Sequence, residues 1–255
     1  MALNKYKDSI VRLIAVDSTN RYVRDEATAL WNKCGNYRGF VVVTAVHQTA
    51  GRGQRGNTWS SNAGENLLFS ILIRPGGALE VKKQFLLSQA VALAIHDTMK
   101  CFGIDTRLKW PNDIYVGTRK LAGILLELDY SGAFVEQAII GIGLNVNQEK
   151  FPPMDRTPVS MKILRERDIV LDYVLATILD FFEHYYAELR FGNRYAIAAE
   201  YCRLLLGIDK QHTFIDSNGR FDAVIQGVES DGHLLLKRSD GSTSRYAFKE
   251  VEMVF

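Results

Sequence analysis

Short apolar runs and longer stretches of helical periodicity follow one another along the first 207 residues. The short runs are rich in β-branched and aromatic residues and predict strands at 10–16, 40–46, 66–73, 106–116, 119–128 and 134–142. Apolar residues at intervals of three and four predict helices at 80–102, 169–189 and 194–206. Because the strands between 106 and 142 are joined by short turns, the pattern predicts a mixed or antiparallel sheet with flanking helices, an α+β fold.

The pattern changes after Gly207. Short runs of β-forming residues are separated there by three turn signals, at 217–219, 230–232 and 239–241. This spacing predicts a small all-β barrel. We therefore expect two domains, a larger one over residues 1–207 and the barrel over 208–255.

The composition of the chain argues against several classes of function. The 255 residues are 47% apolar and carry a net charge of +2, which gives no support to general polyanion binding. The cysteines, Cys34, Cys101 and Cys202, are widely spaced and indicate reduced thiols, and the dispersed histidines predict no metal site. No signal peptide or apolar run of about 18 residues occurs, so we expect a soluble cytoplasmic protein without a membrane partner.

A glycine-rich basic segment, residues 50–59, joins the strands predicted at 40–46 and 66–73. Its glycines let the backbone approach a ligand closely, and its arginines supply positive charge, a combination that suits a phosphate or a carboxylate. A mobile basic surface loop is the alternative. The segment is neither a Walker loop nor a dinucleotide fingerprint, because both its spacing and the residues after it are wrong for these motifs.

Four further residues have both a structural and a functional interpretation. Ser18 and Thr19 precede a helical pattern and serve either as helix caps or as ligand contacts. Lys109, next to the bend expected at Pro111, is either an outward-facing lysine or a cation that points into a site. Gly123, inside a predicted strand, marks a bulge or the close approach of another group.

Five motifs occur in a fixed order along the chain. They are Ser-Thr-Asn at 18–20, the glycine-rich run at 48–59, Lys-Trp-Pro-Asn-Asp at 109–113, Lys-Leu-Ala-Gly-Ile-Leu at 120–125 and Gly-Ile-Gly-Leu-Asn-Val-Asn at 141–147. In this order, from about residue 10 to the end, the chain closely resembles the biotin–protein ligases. The resemblance implies a catalytic fold related to class II aminoacyl-tRNA synthetases and lipoate ligases, followed by an SH3-like barrel.

The resemblance also implies a two-step reaction. Biotin and MgATP give biotinyl-5′-AMP and pyrophosphate, and a lysine of a biotin carboxyl carrier domain then accepts the biotinyl group. The attack of a carboxylate on a phosphate needs fixed cations, and the family pattern assigns this catalytic role to Lys109 and Arg52. Mg²⁺ offsets the charge of the polyphosphate; we name no protein metal ligand, although Asp113 is a candidate.

The binding residues follow from the same resemblance. The expected biotin-binding residues are Ser18, Thr19, Asn20, Gln48, Gly51, Arg52, Gly53, Gln54, Trp59, Lys109 and Gly123. Of these, Trp59 is expected against the apolar part of biotin, with Gly123 leaving room beside the backbone. The expected ATP and adenylate contacts are Arg52, Arg55, Asn112, Lys120, Asn145 and Asn147. Gln54 stands where some relatives have an arginine, so the loop keeps two arginines.

Two alternatives stay open. A lipoate–protein ligase shares the fold and the adenylation chemistry but has an Arg-Arg-x-Ser-Gly-Gly-Gly loop that this chain lacks. A non-catalytic binding module is the other alternative, and the paired cations Lys109 and Arg52 weigh against it. The first motif begins at residue 18, too early for a preceding winged helix-turn-helix, so we expect no sequence-specific DNA binding. A homodimer is compatible with the resemblance.

Overall fold

The computed structural model describes residues 2–35, 38–153 and 157–254. Its larger sheet has seven strands in the order β1-β2-β3-β7-β6-β5-β4. Their bounds are β1 Ile10–Val16, β2 Phe40–Gln48, β3 Leu67–Ile73, β4 Arg107–Lys109, β5 Asp113–Val116, β6 Arg119–Ser131 and β7 Phe134–Leu144. Among the described pairs, β1 and β2 are parallel and the others are antiparallel. The predicted mixed sheet is confirmed.

Helices cover both faces of this sheet. They are α1 Thr19–Leu30, α2 Phe85–Cys101, the short α3 Met161–Arg165, α4 Leu171–Phe191 and α5 Arg194–Arg203. Strand β2 shows the arrangement, because Phe40 and Val42 pack with α2 and α4 while Val41 and Val43 pack with α1. Burial on both faces explains why these strands are apolar without alternation.

The helix predicted at 80–102 divides into a 3₁₀ turn, Val81–Lys83, and the buried helix α2. Gly103, with a φ of +67°, ends α2 in the left-handed conformation that glycine adopts without strain. The Ile104 N–H then donates to the Met99 carbonyl at 3.0 Å. Among the described helices, none combines the length and the apolar character that crossing a membrane requires.

The C-terminal strands form a second, antiparallel sheet of five strands in the order β11-β10-β9-β8-β12. Their bounds are β8 Gln211–Asp216, β9 Gly219–Val228, β10 Leu234–Arg238, β11 Thr243–Tyr246 and β12 Val251–Met253. The three predicted turns connect the hairpins from β8 to β11. The barrel itself is not confirmed, because β11 and β12 are the two edges of an open sheet among the described strands.

The two sheets share one hydrophobic core. The Trp110 indole N–H donates to the Gly232 carbonyl at 2.9 Å. The Phe248 ring lies 5.4 Å from the Trp110 ring and 5.9 Å from the Phe85 ring, between ring centroids. These contacts fix the C-terminal sheet beside β4, next to the bend at Pro111.

Candidate functional site

A cavity of about 150 Å³ lies on the α1 face of the large sheet, beside the N-terminus of α1. Most of the predicted site residues meet there: Ser18, Thr19, Asn20, Gln48, Arg52, Gly53, Gln54, Trp59, Asn112, Lys120 and Gly123. The sequence analysis gave no role to several others that line it: Asn57, Thr58, Ile124, Leu125, Gly141, Ile142, Gly143 and Lys249. The carboxylate of Asp113, named above as a candidate metal ligand, also lines the cavity.

The inner end of the cavity is neutral and polar. Ser18 occupies the N-cap position of α1 but makes no side-chain cap hydrogen bond, so capping does not explain its hydroxyl. The Gln48 side-chain oxygen accepts from the Thr19 N–H at 2.7 Å and lies 3.1 Å from the Thr19 hydroxyl. Because the Gln48 oxygen is held by Thr19, its amide nitrogen is the group left to donate elsewhere.

A buried serine, Ser70, organises this end of the cavity, and the sequence analysis missed it. Its Oγ lies 2.6 Å from Asn20 Oδ1 and 2.8 Å from Thr19 Oγ1. The Asn20 amide nitrogen donates to a Glu127 carboxylate oxygen at 2.9 Å, so Asn20 Oδ1 must be the acceptor for the Ser70 hydroxyl. The Thr19 hydroxyl can then donate to Ser70 and offer its lone pairs to a ligand N–H.

The glycine-rich segment forms a tight hairpin over the cavity. The Gly53 N–H donates to the Asn57 carbonyl at 2.7 Å, and the Trp59 N–H donates to the Gly51 carbonyl at 2.9 Å. Arg52 forms an ion pair with Glu127, with nitrogen and oxygen 3.3 Å apart. The side chain of Arg55, expected at the nucleotide, lies outside the described part of the structure.

Three glycines make a trough on strands β6 and β7. Gly123 pairs with Gly143 across the two strands, and Gly141 lies two residues before Gly143 on the same face. A Cβ at Gly143 would collide with the Trp59 ring, and a Cβ at Gly123 would lie 3.1 Å from it. The room that the sequence analysis assigned to the ligand at Gly123 is therefore occupied by the indole of Trp59.

Lys120 reaches the cavity because of a β-bulge. The pairing of β5 with β6 shifts between Ile114 and Tyr115, so that Leu121 and Ala122 are both buried in the core. The extra residue turns the Lys120 side chain to the face of Gly123. Its Nζ lies 2.7 Å from a carboxylate oxygen of Asp113.

Lys109, expected beside the carboxylate and the α-phosphate, lies farther out. It pairs with Asp113, which pairs with Gly123, so Lys109 is two strands away on the same face, about 10 Å across the sheet. It lines a second cavity, of about 1160 Å³, between the Trp110–Pro111 bend and the C-terminal sheet. The structure therefore brings Lys120, rather than Lys109, to the middle of the first cavity.

The two asparagines expected at the nucleotide are engaged with the backbone. The Asn145 amide donates to the Val159 carbonyl at 3.2 Å. The Asn147 amide donates to the Ile169 carbonyl and accepts from the Ile169 N–H, both at 2.9 Å. Neither lines the two cavities described above, and in this structure both hold the segment that follows β7.

One other group of metal-ligand type occurs among the described residues, away from the cavity. Glu229, Asp231 and His233 lie together at the turn between β9 and β10. Arg245 is ion-paired with both carboxylates, so one cation already offsets part of the negative charge of this turn.

Comparison with known proteins places this geometry in a family. The model of the biotin/lipoate A/B protein ligase family matches residues 13–145. A biotin–[acetyl-CoA-carboxylase] ligase of Paracoccus denitrificans is 32% identical over 255 residues, which cover 95% of this chain and 99% of that protein. The bifunctional ligase/repressor BirA of Bacillus subtilis is also 32% identical, over 81% of this chain but only 64% of its own length.

The fold has solved counterparts. The biotin protein ligase from Aquifex aeolicus, determined in complex with biotin and ATP, superposes with a TM-score of 0.79 at 23% identity and covers 96% of this chain. Three observations indicate the same family: the order of the motifs, the extent of the family match and the similarity to the Paracoccus protein. The chain belongs to the biotin/lipoate A/B protein ligase family, among its biotin–protein ligases.

Proposed function

We propose that this protein activates biotin with MgATP as biotinyl-5′-AMP and transfers the biotinyl group to a lysine of a biotin carboxyl carrier domain. One observation carries the proposal: a neutral pocket of hydrogen-bonding side chains and the cations Lys120 and Arg52 line the same cavity. Biotin has the same two parts, a neutral ureido group at one end and a carboxylate at the other.

The ureido group fits the inner end of the cavity. It offers two N–H donors and one carbonyl acceptor, and the relay through Ser70 leaves Thr19 able to accept while Gln48 can donate. Ser18 adds a hydroxyl that can do either. Asn20 is a support for this set, because its amide is engaged by Ser70 and Glu127.

Lys120 and Arg52 supply the charge for adenylation. The carboxylate of biotin attacks the α-phosphorus, and negative charge builds on the phosphate oxygens, where preorganised cations stabilise it most. Lys120 is placed for this by the bulge in β6, and Arg52 by the hairpin over the cavity. Asp113, a carboxylate in the same cavity, would hold Mg²⁺ together with the phosphates, and the metal would offset the polyphosphate charge. We assign Lys109 to the outer part of the phosphate path.

The second step needs a nucleophile from the partner. The amine of the carrier lysine attacks the biotinyl carbonyl, the bond from carbonyl carbon to phosphate oxygen breaks, and AMP leaves with the electron pair. In this step the hairpin, residues 51–59, excludes water from the mixed anhydride.

We also infer the modular division expected from the sequence, with the catalytic domain over residues 1–207 and an SH3-like module over 208–255. The five antiparallel strands of that module support it, as does the bulge between Leu235 and Leu236. The family's relation to class II aminoacyl-tRNA synthetases, a cytoplasmic location and the absence of sequence-specific DNA binding remain expectations, as does homodimer formation.

The polar end of the cavity favours biotin over lipoate. The dithiolane ring of lipoate has neither N–H nor carbonyl groups, so it would leave Thr19 and Gln48 without partners in a water-poor pocket. Such a mismatch typically costs a factor of about 10⁴ in kcat/KM.

The test is transfer of radiolabelled biotin to a carrier domain in the presence of MgATP, with lipoate as competitor. We expect labelled carrier, pyrophosphate release and little competition. Thr19→Val should lose biotin affinity, whereas Thr177→Val, at a half-buried position on α4 that does not line the cavity, should bind biotin as wild type does. Labelling by lipoate would indicate a lipoate ligase, and biotin binding without pyrophosphate release would indicate a binding module.

A further inference from the structure

A buried glutamine joins the chain after the hairpin to the chain after β7. The side chain of Gln148, a residue that is 2% exposed, lies between these two segments. Its oxygen accepts from the Asn62 main-chain N–H at 3.1 Å and from the Asn66 amide nitrogen at 2.5 Å. Its own amide nitrogen donates to the Lys150 carbonyl at 2.9 Å. Gln148 thereby holds residues 62–66 against the segment that follows β7.

The orientation of the two amides follows from their neighbours. The Asn66 side-chain oxygen accepts the Val146 N–H at 2.9 Å, so the Asn66 nitrogen must face Gln148. This requires the oxygen of Gln148 on that side and turns its nitrogen toward Lys150. Asn66 is 3% exposed, so water cannot readily replace a lost member of this relay. The relay is therefore a specific connection.

This connection fixes one end of the hairpin, residues 51–59. The other end is held by the main chain, where the Ala50 N–H donates to the Asp17 carbonyl at 2.9 Å. Trp59 lies three residues before Asn62, and three residues span at most about 10 Å. The anchored position of Asn62 therefore limits how far Trp59 can move away from the cavity.

We propose that Gln148 is a positioning residue for the hairpin and keeps it closed over the mixed anhydride until the carrier lysine reacts. Gln148 lines neither of the two cavities, so it acts through the chain at 62–66. When the hairpin opens, a water oxygen can bond to the biotinyl carbonyl carbon. The bond from that carbon to the phosphate oxygen breaks, AMP leaves with the electron pair, and a proton passes to solvent. The inference rests on the function proposed above.

Two variants test the role of Gln148. Gln148→Met keeps the approximate size of the side chain and removes its hydrogen bonds. Thr106→Val is the matched control, because Thr106 is fully buried and its hydroxyl lies 2.7 Å from His96 Nδ1, outside the relay. One assay measures pyrophosphate released per biotinyl group transferred to a carrier domain. The other measures amide hydrogen exchange over residues 51–66 in the free protein.

We expect Gln148→Met to raise the pyrophosphate released per transfer by about five- to tenfold, the effect of losing about one hydrogen bond that holds the hairpin closed. Amide exchange over residues 51–66 should accelerate by a similar factor, and biotin affinity should stay within about threefold of wild type. Thr106→Val should lower the melting temperature but keep the wild-type ratio. Equal ratios in the two variants would overturn the proposal.

Wild-type protein provides a second measurement, which decides the matter if Gln148→Met does not fold. Asn62 is exposed, yet its amide should exchange slowly because it donates to a buried oxygen. Exchange at the rate of an unstructured chain would overturn the anchor. If wild type released no pyrophosphate with biotin and ATP, the ligase function would be wrong, and amide exchange would still test Gln148. If it did, and Gln148→Met kept the wild-type ratio, the function would stand and the positioning role would be wrong.

Discussion

Replacing Lys120 by alanine should impair adenylate formation more than replacing Lys109. Lys120 lines the cavity that also holds Arg52, whereas Lys109 lies two strands away on the edge strand β4. Removing one preorganised charge stabiliser from a water-poor site typically lowers kcat by about 10²–10³-fold, or roughly 2.7–4 kcal/mol of transition-state stabilisation. We expect a loss of that size for Lys120→Ala and a smaller one for Lys109→Ala.

The ion pair with Asp113 must be separated from catalysis. Lys120→Ala removes the partner of a carboxylate whose side chain is 17% exposed, while that of Lys120 is 32% exposed. Because the carboxylate is largely buried, the lost pairing costs the fold more than the roughly 1 kcal/mol of an exposed pair. The double variant Lys120→Ala/Asp113→Asn removes the stranded charge as well. Because Asp113 is also the proposed metal ligand, the double variant should lose at least as much kcat as the single one. A melting temperature of Lys120→Ala that stays well above the assay temperature would identify the missing cation, rather than a damaged fold, as the cause.

The assay is single-turnover release of pyrophosphate from ATP with saturating biotin, and biotin affinity is measured alongside by calorimetry. Each variant is compared with wild type at matched substrate saturation. If Lys120→Ala reacted within a few-fold of wild type while Lys109→Ala lost 10²-fold or more, our assignment would be wrong and the family-based expectation for Lys109 would be right.

Three other predictions follow from the site and the core. Ser70→Ala should weaken biotin binding about tenfold without changing the KM for ATP, because it leaves the Asn20 oxygen without a donor; unchanged biotin affinity in calorimetry would contradict the relay. Burial lowers the pKa of His96 below its ordinary 6.5, so the unfolded chain binds a proton more readily. The free energy of unfolding should thus keep the His96 contribution above pH 6.5 and lose it as the pH falls below that value; denaturant titrations in which His96→Gln shows the same slope as wild type would refute this. Finally, residues 51–59 should gain amide hydrogen-exchange protection with biotin and ATP, because their hairpin has few apolar anchors; equal protection with and without ligands would remove loop ordering from the mechanism.

Much of the architecture could be predicted from periodicity and turn chemistry. The strand at 66–73 and the helix at 80–102 were recognisable because burial on both faces of the strand, and around nearly all of the helix, leaves a direct mark on the sequence. The three C-terminal turns were recognisable for the same local reason. Closure of the C-terminal strands into a barrel depends on pairing between strands distant in sequence, and the periodicity of single strands carries no information about it.

The position of Lys120, the lysine that we propose for catalysis, could not be read from strand alternation. Gly123 faces the cavity. If side chains alternated strictly along β6, Lys120, three residues earlier, would point toward the core. The bulge in β6 adds one residue and reverses this. A shift of one residue moves a side chain to the opposite face of a sheet, so the choice between Lys109 and Lys120 required the register of three strands.

Ser70 and Glu127 were missed for a different reason. Ser70 interrupts the apolar strand β3, which is a local signal, but its partners lie 50 and 51 residues away in the chain. Glu127 resembles any polar residue on a half-buried strand until Asn20 and Arg52 are seen to contact it. Hydrogen-bond relays of this kind are formed by the tertiary fold, and sequence spacing does not reveal them.

Arg52 and Lys120, two of the cations that line the cavity, are each paired with a carboxylate. Arg52 pairs with Glu127 and Lys120 with Asp113, and the two carboxylate side chains are only 16% and 17% exposed. Each pair holds its cation near the reacting centre and offsets its charge, so a stray anion must displace a carboxylate to bind there. In the proposed reaction the nucleotide replaces both partners at once, because Lys120 exchanges Asp113 for a phosphate while Asp113 becomes available to the metal that accompanies it. An anion without a metal can replace the carboxylate at Lys120, but it supplies no cation for Asp113. In the proposed reaction, the cavity would therefore select the metal–nucleotide complex through Asp113, the carboxylate that also positions Lys120.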